Sequence, residues 1–74
     1  MKVNSEKING NVFFDNFAVI KENDNFYGIY LRLSQFYHTY GKDNLISSGK
    51  TLEDAYKKAK LLQIGFNTAI YYSN

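Results

Sequence analysis

Between Phe26 and Leu33 the side chains alternate in character. Tyr27, Ile29, Leu31 and Leu33 fall on one face of an extended chain, and Phe26, Gly28, Tyr30 and Arg32 on the other. A strand with one continuous apolar face needs cover from one side, which belongs to an antiparallel sheet rather than to a parallel sheet buried on both faces. The first set is therefore predicted to face the core.

The neighbouring segments extend this sheet. Asn11–Ile20 is rich in strand-forming residues, but Asp15-Asn16 breaks its alternation and predicts a bulge or tight turn. Glu22-Asn23-Asp24-Asn25 is a run of side chains that hydrogen-bond their own backbone, so a hairpin joins this segment to Phe26–Leu33. Phe36–Tyr40 reads as a further short strand, Gly41–Asn44 as a turn, and Leu45–Ser48 as a strand leading into Gly49. Residues 1–10 are polar and are expected to be frayed.

A helix follows. Thr51 is an N-cap, Glu53 and Asp54 put negative charge in its first turn, and Lys57, Lys58 and Lys60 put positive charge later, as the helix dipole favours. Leu52, Ala55, Tyr56, Ala59 and Leu62 share one stripe, with Leu61 and Ile64 outside it. Gly65 is the expected stop, after which residues 67–72 could return as an edge strand. The predicted class is α+β: a small antiparallel sheet of three to four strands on one amphipathic helix, in β-β-β-α order. Residues 11–74 form the one domain that a 74-residue chain has room for.

Chemistry is constrained by what is scarce. Without cysteine there is neither a disulfide framework nor a thiolate nucleophile, and a single histidine rules out the usual Cys/His zinc site. His38 would serve as a general base only beside a nucleophile, and the candidates are ordinary Ser and Thr hydroxyls with no elbow motif around them. Gly49-Lys50-Thr51 opens a helix as a phosphate loop does, yet the first glycine of that motif would fall on Asn44. No enzymatic activity and no cofactor are expected. No apolar run spans a membrane and the N-terminus is unlike a signal peptide, so a cytoplasmic address is expected. The bias toward Asn, Lys, Tyr and Ile fits A- and T-rich coding DNA, as in a phage or other mobile element.

Binding remains. On the outer face of the 26–33 strand Phe26, Tyr30 and Arg32 alternate, with Tyr37 and His38 nearby. Aromatic and cationic groups on an open sheet suit either a protein interface or stacked bases with paired phosphates. A net charge of +2 with one arginine is a weak footprint for nucleic acid, so a protein partner is favoured. Leu61 and Ile64, off the core stripe, are candidate contacts as well. A core this small, with no metal or disulfide to support it, also predicts a homodimer.

The helix opens Gly49-Lys50-Thr51-Leu52-Glu53-Asp54-Ala55 and continues to Ala59-Lys60. After strands at Phe17–Lys21 and Tyr27–Leu31, this resembles the HicB family of antitoxins, whose β-β-β-α core carries a Gly-x-Thr-Leu-Glu-x-Ala helix start. The resemblance implies a protein-neutralising core without the family's C-terminal DNA-binding segment. The family's Pro-Asp-Leu-Pro-Gly type loop has no counterpart, since the chain contains no proline. Ala55-Tyr56, Ala59, Gly65 and Ala69 are also similar to the plant ethylene-response-factor type of DNA-binding domain, which reads DNA with Arg and Trp on its sheet. Here there is one Arg and no Trp.

Overall fold

A computed structural model describes residues 2–34 and 37–73. Strands β1 (Ser5–Ile8), β2 (Asn11–Phe14), β3 (Phe17–Asn23), β4 (Phe26–Leu31) and β5 (Leu45–Gly49) make an antiparallel meander in chain order, and helix α1 (Leu52–Ser73) packs on one face. The expected α+β class holds, with five strands.

The tight turn at Asp15-Asn16 joins β2 to β3, and a two-residue turn at Asp24-Asn25 joins β3 to β4. Because Asp15-Asn16 occupies the turn, Phe14 and Phe17 on either side of it point to the same face. There, with Val12, Val19 and Ile29, they form a core closed by Ala55 and Ala59 of the helix. The two alanines let the helix backbone approach the sheet. Leu52 and Tyr56 seal the margin, and the Tyr56 ring lies 5.4 Å from that of Phe14. Thr51 Oγ1 accepts from the Asp54 amide at 3.1 Å, the N-cap bond expected of it.

Several expectations are corrected. Ser5–Ile8, expected to be frayed, is strand β1. Asn9 (φ 53°) and Gly10 (φ 83°) supply the two positive φ values that a type I′ hairpin turn needs, and this turn folds the segment onto β2. Leu33 is 80% exposed, because β4 ends at Leu31 and the pairing with the β3 side stops at the next residue, where the Arg32 amide donates to the Asn16 carbonyl at 2.8 Å. Tyr37–Tyr40 forms no strand, while Phe36 lies outside the described residues. Gly65 does not stop the helix, which continues through residues 67–72 to Ser73 in place of an edge strand.

The helix continues because its distal half is tied to the sheet. Gln63 is buried at 1% exposure. Its Oε1 accepts from the Asn16 amide at 2.7 Å, and its Nε2 donates to Asn16 Oδ1 at 2.8 Å and Asn67 Oδ1 at 3.0 Å. Phe66 meets Phe17 edge-on at 6.1 Å. These contacts offset the roughly 1 kcal/mol that a helical glycine costs relative to alanine. Gln63, rather than the expected Leu62, completes the buried stripe, and Leu62 is 38% exposed.

Candidate functional site

The sheet face away from the helix is not open. Phe13, Ala18, Ile20 and Tyr30 form a second core there, and Ile8 and Tyr40 pack against it. The cover comes from the connection between β4 and β5. It folds back with Gly41 N donating to Leu31 O at 3.2 Å and Leu31 N donating to Asn44 O at 3.1 Å. The Tyr40 ring lies 4.9 Å from that of Tyr30.

Arg32 locks this cover. Its Nη1 donates to the Phe14 carbonyl, its Nη2 to the Tyr37 carbonyl and its Nε to the Thr39 carbonyl at 3.1 Å, while the guanidinium stands 5.3 Å from the Phe13 ring centre. Burial lowers its pKa from the usual value, opposed by the carboxylates of Asp15 and Glu6. His38 stacks edge-on against the same Phe13 ring at 5.1 Å, with its Nε2 2.8 Å from Glu6 Oε2. Tyr30 Oη donates to Glu22 Oε1, and that hydrogen bond, aided by burial, pushes its pKa up to about 12.

The expected outer-face site is therefore rearranged. Arg32 and His38 do gather around Phe13, and Tyr37 joins them through its carbonyl on Arg32, as a clasp that closes a core. Tyr30 and Arg32 are each only 8% exposed, so neither offers a face for stacking a base or seating a partner, whereas the Tyr37 side chain is 72% exposed. Phe26 sits elsewhere, half-buried beside the start of the helix. Leu61 is 68% exposed, whereas Ile64 is half-buried and its carbonyl accepts from Thr68 Oγ1 at 2.8 Å.

Besides Leu33 and Tyr37, accessible apolar side chains line the β5 end of the sheet. β5 is the terminal strand, so its side away from β4 carries no further strand among the described residues. Terminal strands are usually guarded by charge. β1, at the opposite end, has Glu6 and Lys7, but Leu45-Ile46-Ser47-Ser48-Gly49 of β5 has none. Leu45 and Ile46 are each 49% exposed. Between β5 and α1 runs a groove of ≈ 530 Å³ lined by Ile46, Ser47, Lys58, Leu61 and Leu62. A second of ≈ 520 Å³ continues past Phe26, Ser48, Gly49 and Asp54 toward the helix start.

Lys58 lines both grooves. Its Nζ donates to the Ser48 carbonyl at 2.8 Å and pairs with Asp54 Oδ2 at 3.4 Å. The helix can lie this close to the strand end because position 49 is glycine: a Cβ there would come within 2.6 Å of the Ala55 amide nitrogen. Among the described residues no three acidic, His or Cys side chains cluster as a metal site, and no helix is long and apolar enough to cross a membrane.

Sequence reasoning found Leu61 but missed Ile46, Lys58 and Leu62 as its neighbours. The available signal was the uncharged 45–49 strand, last of the strands before the helix. No family model, curated protein or solved structure matches the chain.

Proposed function

We propose that this chain is a small non-enzymatic binding domain of the cytoplasm that acts through a protein partner, in the manner of an antitoxin or inhibitor, and that it self-associates. The observation that carries the partner reading is the uncharged β5 edge beside the Ile46–Leu61–Leu62 groove. An extended partner segment can add to such an edge through backbone hydrogen bonds and drop alternate side chains into the groove. The HicB-like stretch Gly49–Lys60 gives this groove only Lys58, and lines its continuation toward the helix start with Gly49, Lys50, Thr51 and Asp54. Nucleic-acid binding is the alternative, less favoured because Tyr30 and Arg32, two of the side chains it would use, are buried beneath the 37–40 segment.

The test is capture from lysate of the source organism, with nuclease treatment, using the wild-type chain and Leu61→Lys. The expected result is a stoichiometric protein retained after nuclease and lost with Leu61→Lys. Leu61 is exposed, so that variant keeps the fold. Capture that disappears with nuclease, or that survives Leu61→Lys, would refute the reading.

A further inference from the structure

The distal half of α1 differs from its first half. All the charged side chains of the helix lie between Glu53 and Lys60, and from Leu61 to Ser73 there is none. The helix also outruns the sheet. Its 22 residues span about 33 Å, whereas the longest strand, seven residues, spans about 23 Å. The molecule accordingly measures 40 × 22 × 21 Å. Its surface of 5168 Å² exceeds the roughly 4,700 Å² usual for a monomer of 8.6 kDa.

What the overhang exposes is a continuation of the core stripe. Phe66, Ala69, Ile70 and Ser73 recur at three- and four-residue spacing below the buried Ala55, Ala59 and Gln63, and Tyr71 and Tyr72 stack edge-on at 5.1 Å beside them. Phe66, Ile70, Tyr71 and Tyr72 are 36%, 47%, 70% and 80% exposed. At 100° per residue Tyr71 points away from Phe66 and Ala69, so the face is carried by Phe66, Ile70 and Tyr72, and at about 200 Å² for each large side chain these leave roughly 330 Å² of apolar surface in water. A standard interface takes about 800 Å² from each partner, a little over half of it apolar. The overhang supplies about three quarters of that apolar share.

From this we infer that the distal half of α1 is a homodimer interface, in which two copies cross antiparallel near Ala69. A surface without charge is best complemented by another without charge, and a second copy presents one. The antiparallel arrangement sets the two helix dipoles against each other, and the small Ala69 side chain lets the axes approach to the roughly 8–10 Å of packed helices. The contact lies beyond the Ile46–Leu61–Leu62 groove, so the dimer presents two open β5 edges. Only this last consequence rests on the partner reading above.

Sedimentation equilibrium of the full chain tests the interface, at about 100 µM, well above the micromolar affinities at the weak end for interfaces of this size. Wild type is expected at twice 8.6 kDa. Ala69→Lys and Tyr72→Lys are expected at the monomer mass with unchanged helical circular dichroism, since both positions are exposed. Leu61→Lys is expected to remain dimeric while losing the captured partner. A monomeric wild type, a dimeric Ala69→Lys, or a Leu61→Lys chain that is monomeric would each overturn the inference, the last by moving the contact to the groove.

Discussion

Arg32 is the residue whose replacement most directly separates a structural clasp from a binding face. Arg32→Met keeps an aliphatic stem against Phe13 and removes the donor shared by the Phe14, Tyr37 and Thr39 carbonyls. Hydrogen bonds from a charged donor contribute about 1.5–3 kcal/mol each, but the three do not add, since the buried guanidinium carries a desolvation cost that offsets much of the gain. The Tyr37 and Thr39 carbonyls lie in an exposed segment where water can replace the donor. The bond to the Phe14 carbonyl is buried, and an orphaned buried acceptor costs about 1–3 kcal/mol. With the loosened cover over Phe13 and Tyr30 added, the expected loss is about 2–4 kcal/mol, against a total of about 4–11 kcal/mol for a chain this long. Urea unfolding followed by circular dichroism measures it. Arg32→Lys should lose nearly as much, because one ammonium group cannot reproduce the fork that reaches three carbonyls. A loss under about 1 kcal/mol in Arg32→Met would refute the clasp and return Arg32 to the surface.

Two further outcomes are expected. Gly65→Ala should stabilise the chain by about 0.5–1 kcal/mol, since Gly65 is helical and a Cβ there meets nothing within 4 Å; destabilisation would mean the helix stops at Gly65. The phenol of Tyr30, raised from 10.0 to about 12, holds its proton more tightly in the folded state than in the unfolded. Its contribution to stability is therefore complete below pH 10 and is lost as pH rises through about 12. In a spectrophotometric titration of the seven tyrosines one should lag behind the rest, and Glu22→Gln should bring it back toward them; a single transition for all seven in the folded wild type would rule this out.

What the sequence disclosed was whatever local pattern decides. The alternation of Tyr27, Ile29 and Leu31 does face the helix, the turns at Asp15-Asn16 and Asp24-Asn25 form, and Thr51 caps α1. The β1–β2 hairpin was legible too, in Asn9-Gly10, the strongest short turn signal in the chain, but Ser-Glu-Lys-Ile has too little apolar alternation to draw attention to it. Gly65 is a stop signal overridden by tertiary contact, because Gln63 and Phe66 on either side of it bond to and pack against residues 47 and 49 positions earlier. No window of local sequence contains that information. The fate of Tyr30 and Arg32 has the same origin: period two separated the faces correctly, but whether the second face meets water depends on a connection that returns to cover it.

The same economy explains where binding surface remains. α1 covers one face of the sheet and residues 37–44 help cover the other, and apart from Leu33 and Tyr37 the exposed large apolar side chains among the described residues lie at β5, beside it on α1 and on the helix overhang. The two sheet edges are guarded differently. Lys7 is part of β1 itself and carries its charge wherever that strand goes, a permanent defence against strand pairing. Lys58 belongs to the helix and reaches the Ser48 carbonyl only through a flexible side chain, 48% exposed and shared with Asp54. An incoming strand can displace it at the cost of one exposed hydrogen bond and a surface ion pair worth about 0–1 kcal/mol. β5 is thus shielded from indiscriminate pairing yet open to a segment that also fills the Ile46–Leu61–Leu62 groove. In the proposed dimer that selectivity would be lost if two copies met edge to edge, and the charge-free overhang would give self-association a surface of its own.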